Sequence, residues 1–406
     1  MTDPGIVVVG GGLAGARAVE AARGAGYEGP VTLLAAEDEA PYERPALSKG
    51  FLAGAKAAED TLALPVQWYS DNDVDLRTGT EAVQLDLAAR MVGLADGSAL
   101  AFDKLLIATG AEPRRLDVPG SDDVELLYLR TLDNARALKA ALDAGGRRVA
   151  VVGGGWIGLE VAAAARNAGN DVIVTEPQPT PLHAALGPEL GDLFARLHRH
   201  HGVDVRTGAG LERIAAANGG AVLTVGDEQI EADVVVVGVG AQPRVSLAAD
   251  AGLEVASGIR TDANLQTSVE GVFAAGDVAE PFSPLLQRPL RVEHWANALN
   301  TGKVAGRNMA GESVAYDRVP YFYTDQFELG MEFSGIAAPG DYDRVVYRGR
   351  PESLEFIAFW LSGDRVVAGM NVNVWDVTEE IQGLIKSGRS VAAERLVDAH
   401  VPLGEV

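Results

Sequence analysis

Two stretches of the chain combine a glycine-rich turn with a carboxylate at the distance that holding a dinucleotide requires. Gly10, Gly12 and Gly15 spell Gly-x-Gly-x-x-Gly, and Gly153, Gly155 and Gly158 spell it again. The first glycine of each set permits a tight turn, the second lets backbone approach a pyrophosphate, and the third lets a helix pack closely on a strand. Glu37 and Glu176 follow roughly twenty residues later, where a carboxylate accepts hydrogen bonds from a ribose diol. Free N–H groups at a helix start, reinforced by the helix dipole, favour the phosphates. A glycine turn between strand and helix also occurs without any ligand. The repetition, each copy with its acidic partner, argues for two bound dinucleotides. A third signature, Gly271-Val-Phe-Ala-Ala-Gly276-Asp277-Val278, places Asp277 at the C-terminal end of a strand, where open α/β sheets bind ligands.

These residues need elements to hold them. Val7-Val8-Val9 and Val149-Ala-Val-Val152 have the length and composition of buried parallel strands, and each glycine turn leads into an alanine-rich helix. Short alternating segments at Thr80 to Asp86, Met91 to Leu94 and Ala99 to Asp103 predict a meander. A separate buried strand from Lys104 then ends in the small-residue turn Ala108-Thr109-Gly110. The same parts recur as a meander over 209–231 and a strand ending at Gly238-Val239-Gly240. Pro181 to Gly202 reads as a helix with Leu190, Leu193, Phe194 and Leu197 on one face. His198, His200 and His201 fall at its end, where solvated imidazoles favoured by the dipole are expected in preference to a metal site. From Val319 aromatics crowd the chain, and Tyr321 to Gln326, Phe356 to Leu361 and Val366 to Asp376 predict an antiparallel sheet followed by a helix near Val377 to Lys386. The fold class is therefore α/β, with two Rossmann-like, glutathione-reductase-like dinucleotide-binding domains and a C-terminal α+β domain. The proline-bearing joints at 116–120 and 241–243 divide it into a discontinuous first domain (1–118 and 242–318), an inserted second domain (119–241) and a third (319–406).

Composition narrows the function. The 406 residues carry a formal net charge of −23 and no cysteine. An acidic chain is repelled by nucleic acid and by anionic membranes. Without cysteine there is no disulfide, thiolate-ligated metal, iron–sulfur cluster or redox-active dithiol within the chain. No apolar run reaches the ~18 residues of a spanning helix, and Met1-Thr-Asp-Pro4 runs into the first strand without a basic, apolar leader. A cytoplasmic protein with neither nucleic-acid nor membrane partners is expected.

The segment Pro41-Tyr42-Glu43-Arg44-Pro45-Ala46-Leu47-Ser48-Lys49 would, alone, be a surface loop with two solvated cations. It resembles the Arg-Pro-Pro-Leu-Ser-Lys segment of the NADH-dependent ferredoxin reductases that serve bacterial oxygenases and cytochromes P450, with Ala46 in place of the second proline. These belong to the FAD-dependent pyridine nucleotide-disulfide oxidoreductase superfamily but lack its redox cysteines. Arg291-Val-Glu293-His294-Trp295-Ala-Asn297-Ala298, opening a helix towards Gly311, is similar to the family's Glu-His-Trp-x-Asn-Ala. The resemblance runs through nearly the whole chain. It implies FAD at Gly10, Gly12, Leu13, Ala14, Gly15, Glu37, Arg44, Pro45, Lys49, Val83, Ala108, Thr109, Gly110, Arg130, Gly276, Asp277, Glu293, His294 and Trp295. It implies NADH at Gly153, Gly155, Ile157, Gly158, Glu160, Glu176, Val239 and Gly240. Glu176 would repel a 2′-phosphate, and no Arg or Lys lies between Thr175 and Pro181 to receive one, so NADH is expected over NADPH.

By the same resemblance Lys49 and Glu160 stand near flavin N5 as the catalytic pair. The cation would stabilise reduced flavin, and the carboxylate would hold the cation and orient the nicotinamide carboxamide. Glu160 is placed in the first turn of its helix, where dipole stabilisation alone is the other reading. Trp295 is either ordinary packing or a flavin neighbour. The implied reaction is hydride transfer from NADH to FAD, then single-electron transfer to a [2Fe–2S] ferredoxin feeding a cytochrome P450 or Rieske oxygenase. The alternatives are reduction of a small acceptor (quinone, monodehydroascorbate or oxygen) or redox sensing like that of apoptosis-inducing factor. Arg288, Arg291, Arg307 and Arg318 are candidates for a basic docking surface, or else solvated helix charges.

Overall fold

The computed structural model describes residues 4–217, 219–338 and 340–406, so Met1 to Asp3 of the expected leaderless start lie outside the described residues. Packing divides the chain into two units. The first comprises residues 1–45, 57–112 and 242–320, and the second comprises 46–56, 113–241 and 321–406. Among the described residues no helix is long and apolar enough to cross a membrane.

The first unit is built on the strand Gly5–Val9, every residue of which is buried. It pairs in parallel with Val31–Leu34 on one side and with the end of Ala99–Ile107 on the other. The expected break between a meander strand and a strand from Lys104 is absent. Ala99–Ile107 is one continuous strand that changes partners along its length. Its start pairs antiparallel with Met91–Leu94, and its end pairs in parallel with Gly5–Val9 and Val272–Ala274. The polar Asp103 and Lys104 mark the change of partners rather than a chain break. Val272–Ala274 is thereby carried into the same sheet from more than 160 residues away in sequence, and the turn bearing Asp277 comes with it.

Helices Leu13–Gly24 and Trp295–Met309 pack backbone to backbone. A Cβ on Gly302 would stand 2.4 Å from the Ala14 carbonyl oxygen, and one on Gly306 would stand 2.1 Å from that of Ala18. Small residues are required here because the facing groups are main chain and cannot rotate away.

In the second unit, a parallel sheet runs in the order Asp204–Thr207, Asp171–Glu176, Arg148–Val152, Val234–Val237. A meander of Leu211–Ala217, Gly220–Val225 and Glu228–Ala232 follows the expected pattern. The C-terminal sheet has five antiparallel strands, ordered Tyr321–Gln326, Leu329–Gly335, Arg365–Val372, Glu355–Ser362, Arg344–Arg350, with the helix Thr378–Ser387 after them. Leu329–Gly335 and Arg344–Arg350 were not expected from the sequence. The first is buried on nearly every residue, so it shows little alternation, and the second carries four arginines or glycines in seven residues.

This sheet shares a core with the preceding α/β region. Trp156 meets Phe194 and Phe322 edge to face, at 5.7 and 5.0 Å between ring centroids, and Phe322 stacks on Phe333 at 5.1 Å. Such pairs contribute about 0.5–1.5 kcal/mol each beyond the area they bury. The C-terminal segment therefore belongs mechanically to the region containing Gly153 and Glu160.

Gly306→Ala should lower the stability of the first unit by roughly 1–3 kcal/mol through overpacking. Gly24→Ala, where a Cβ would meet nothing within 4 Å, should be neutral or stabilising by up to ~1 kcal/mol. Urea unfolding of the two variants measures the difference.

Candidate functional site

The two glycine turns have the same construction. Gly10 has φ +129° and Gly153 has φ +107°, a region that favours glycine. A Cβ on Gly10 would lie 2.1 Å from the Ala108 oxygen, and one on Gly153 would lie 2.5 Å from the Gly238 oxygen. Gly15 and Gly158 face the carbonyls of Gly10 and Gly153 at 2.2 and 2.1 Å from a would-be Cβ. The middle glycines differ in kind. A Cβ on Gly12 would meet nothing within 4 Å, and one on Gly155 would meet only the Gly238 oxygen, at 3.8 Å. Each precedes a twelve-residue helix with neither a side-chain cap nor an acidic residue in its first turn. The outer glycines thus close the backbone, and the middle ones leave open approach to N–H groups at a helix start. That is the arrangement a pyrophosphate fits, and it suits FAD at the first turn and NAD(H) at the second.

In the first unit, Glu37 lies three residues past the strand Val31–Leu34 and is held by side chains from the following loop. Tyr42 Oη donates to one carboxylate oxygen at 2.5 Å, and Arg44 donates to the other at 2.8 Å. The Arg44 guanidinium also lies over the Tyr42 ring, 5.1 Å from its centroid. Pro45 ends this part of the first unit. Tyr42 was given no role by the sequence, and its spacing two before Arg44 was the available signal. Asp277 sits in the turn Gly276–Val278, where the Gly276 N–H donates to Thr301 Oγ1 at 2.9 Å. Thr301 is a second missed residue. Thr109 donates to the Arg244 carbonyl at 2.8 Å, ahead of Gly110 at φ +71°. Leu13 and Ala14 are buried in the helix after Gly12, whereas Val83 is exposed on its strand. Glu293, His294 and Trp295 lead into the helix Trp295–Met309, for which His294 is the N-cap.

In the second unit, Glu160 is the buried charge. Its side chain is 4% exposed, and it takes donors from both neighbouring segments. Lys49 ion-pairs with Oε1, Thr324 donates to the same oxygen at 2.5 Å, and Ser48 donates to Oε2 at 2.5 Å. Lys49 Nζ also lies 5.4 Å from the centroid of the Tyr323 ring. The helix begins at Trp156 and has no acidic residue in its first turn. Glu160 is therefore a turn further in than expected, beyond the reach of much of the dipole. Its partners, rather than the helix end, meet its buried carboxylate.

Glu176 ends its strand over the second glycine turn, accepting from the Gly154 N–H at 2.7 Å and the Gln178 N–H at 2.9 Å. Ile157 and Val239 are exposed apolar side chains, and Gly240 has φ +105°. Arg130 lies in the second unit, immediately before the cap Thr131 of helix Leu132–Leu142.

One expectation needs correction. His198 is not a solvated helix-end residue. It is completely buried, its Nε2 is 2.9 Å from Gln326 Oε1, and its ring meets Phe327 edge to face. The C-terminal sheet covers this helix end, which the helix's own sequence did not disclose. Of the four candidate arginines, Arg291 pairs with Glu293 and Arg307 pairs with Glu312.

Residues 4–302 match the model of the pyridine nucleotide-disulphide oxidoreductase family and residues 321–406 match that of the reductase C-terminal family. The chain belongs to the pyridine nucleotide-disulphide oxidoreductase family. It is 40% identical over 404 residues to the anthranilate 1,2-dioxygenase system ferredoxin-NAD(+) reductase component of Burkholderia cepacia, covering 99% of this chain and 98% of that protein. It is 35% identical over 408 residues to putidaredoxin reductase of Pseudomonas putida, with 99% and 96% covered. Among solved structures, the covalent putidaredoxin reductase–putidaredoxin complex matches with a TM-score of 0.95 at 33% identity, covering 100% of this chain and 98% of that one.

Burial pushes the His198 imidazole down to about 4 from its ordinary 6.5, against a smaller upward effect of the Gln326 bond. The unfolded chain therefore binds a proton that the folded one refuses between those values, and stability falls as pH falls through that window. This group alone should remove about 2 kcal/mol between pH 7 and pH 5. Urea midpoints at the two pH values should differ less in His198→Gln than in the parent.

Proposed function

We propose that this chain is the FAD-dependent NADH:ferredoxin reductase of a bacterial oxygenase system, passing electrons to a [2Fe–2S] ferredoxin that feeds a cytochrome P450 or Rieske oxygenase. The observation that carries the reading is the near full-length likeness to reductases of that kind in a chain with no cysteine. A thiol relay is unavailable to it. When bound, FAD supplies the conversion between a two-electron donor and a one-electron acceptor.

The chain's own residues supply binding, orientation and charge. The Gly10 turn, Glu37 with Arg44, the Ala108-Thr109-Gly110 turn and Asp277 form the FAD-binding set, with 1–118 and 242–318 as the FAD-binding domain. The Gly153 turn and Glu176 hold NADH in the domain 119–241, and residues 319–406 form the third domain. Glu176 already has both oxygens engaged by backbone N–H groups at the glycine turn, which keeps negative charge where a 2′-phosphate would have to sit. Lys49 provides positive charge for the reduced cofactor, and Glu160 keeps that ammonium in place while presenting a carboxylate to the nicotinamide side. Removing one partner of a buried pair of this kind is strongly destabilising, by about 3–5 kcal/mol, and Glu160→Gln removes the charge while keeping the shape, so its FAD content is measured alongside its reduction rate. A cytoplasmic location, with neither membrane nor nucleic acid as partner, fits the acidic composition.

The test is NADH-driven cytochrome c reduction by the yellow holoprotein with and without a [2Fe–2S] ferredoxin. Absolute dependence on ferredoxin and a strong preference for NADH over NADPH are expected. Fast turnover with quinone or oxygen alone would replace this reading with reduction of a small acceptor. Glu160→Gln should slow flavin reduction by NADH roughly 10- to 100-fold, corresponding to the loss of a charged hydrogen bond, with FAD still bound.

A further inference from the structure

Glu160 Oε1, which receives Lys49, is also the end of a longer line of buried side chains. Thr324 Oγ1 lies 2.5 Å from it, Gln326 Nε2 lies 3.2 Å from Thr324 Oγ1, and His198 Nε2 lies 2.9 Å from Gln326 Oε1. Thr324, Gln326 and His198 are all at most 1% exposed. Three separate elements contribute: helix Trp156–Asn167, strand Tyr321–Gln326 and helix His183–His200. Thr324 and Gln326 are two apart on a strand and so share one face.

The polarity of the line follows from its charged end. An ionised carboxylate only accepts, so the single Thr324 hydroxyl proton is committed to Glu160. The hydroxyl oxygen must then accept from its other neighbour, which turns the Gln326 NH2 towards Thr324 and the Gln326 carbonyl towards His198. That carbonyl needs a donor, so His198 carries its proton on Nε2. His198 Nδ1 is buried with no hydrogen-bond partner among the described residues, a position where an N–H would be left unsatisfied and a bare nitrogen is the smaller penalty.

We propose that Gln326 and His198 are positioning residues for Glu160, a one-way line of donors that fixes the carboxylate oxygen shared with Lys49. The line is not a proton wire, because the amide between Thr324 and His198 has no proton to pass on without losing its own arrangement. Its role is orientation. Each member restricts the next, and the last restricts the oxygen that receives Lys49. This inference rests on the reductase reading for its kinetic consequence, while the tautomer it requires does not.

Two measurements on the FAD-loaded protein test it. Long-range nitrogen–proton correlation of the histidine rings at pH 7, assigned by comparison with His198→Gln, should show His198 neutral with its proton on Nε2. A proton on Nδ1, or on both nitrogens, would overturn the line whether or not the protein is a reductase. Single-turnover reduction by NADH then reads the kinetic effect. Gln326→Leu and Thr324→Val should each slow the limiting rate about three- to tenfold, leaving NADH binding and FAD content unchanged, and Thr324→Ser should restore it. The double variant should be no slower than the slower single one, as expected for members of one line. The isosteric Gln326→Glu should be slower than Gln326→Leu, because its oxygen would draw the Thr324 proton away from Glu160. Additive losses, or a Gln326→Glu variant faster than Gln326→Leu, would leave only a packing role and defeat the proposal. If the parent protein is not reduced by NADH, the functional reading fails and the tautomer result still decides the line.

Discussion

A carboxylate removed from water has to be met by donors, and much of the second unit is arranged around meeting this one. Glu160 is 5% exposed, and its donors come from positions more than 100 residues earlier and more than 160 residues later. Ser48 and Lys49 arrive on a short segment that packs with the second unit although the residues on either side of it belong to the first. Thr324 arrives on the opening strand of the C-terminal sheet. An isolated buried carboxylate would neutralise itself by taking up a proton. Here a lysine and two hydroxyls surround the carboxylate instead.

The glycine turns solve the complementary problem of bringing backbone, rather than side chain, to a ligand. Gly10 and Gly153 have carbonyls pressed against the positions a Cβ would occupy, while Gly12 and Gly155 have almost nothing there. Tightness at the outer positions and vacancy at the middle one come from the same short phrase. The long strand Ala99–Ile107 extends the logic to the level of the sheet. By changing partners it supports both the first glycine turn, through Ala108, and the strand that delivers Asp277. Turns far apart in sequence thus stand together at the C-terminal ends of adjacent parallel strands.

Features that depend on local spacing were legible in the sequence: both glycine turns, the acidic residues that follow them, the meanders, and the helices beginning near Trp295 and Thr378. The fold class followed from these, and the family from the resemblance carried by the segments Arg44 to Lys49 and Glu293 to Ala298. Legibility failed where a residue's environment is made by a distant segment. His198 lies at a helix end that looks polar in sequence, with Arg199, His200 and His201 beside it, yet the sheet beginning at Tyr321 covers it. Thr324 and Gln326 were legible only as part of a strand, and both are buried, Thr324 donating to Glu160 and Gln326 to Thr324. The break expected at Asp103-Lys104 failed for a related reason: a strand that passes from antiparallel to parallel partners needs no turn there, only a change in who its neighbours are.

The absence of cysteine alters what the C-terminal segment must do. In a chain with cysteines such a segment can be judged by whether it brings a thiol to the cofactors. Here it has none to bring, and its connection to Glu160 runs through hydrogen bonds. Its opening strand supplies the hydroxyl that fixes Glu160 and the amide that fixes that hydroxyl, while Tyr323 lies beside the Lys49 ammonium. The aromatic packing of Trp156, Phe194, Phe322 and Phe333 then has a purpose beyond bulk stability. A hydroxyl can orient a carboxylate only if the strand carrying it is immobile relative to the helix carrying the carboxylate, and interlocked rings on the two elements provide that immobility. The apolar core is thus part of how the charge pair is set.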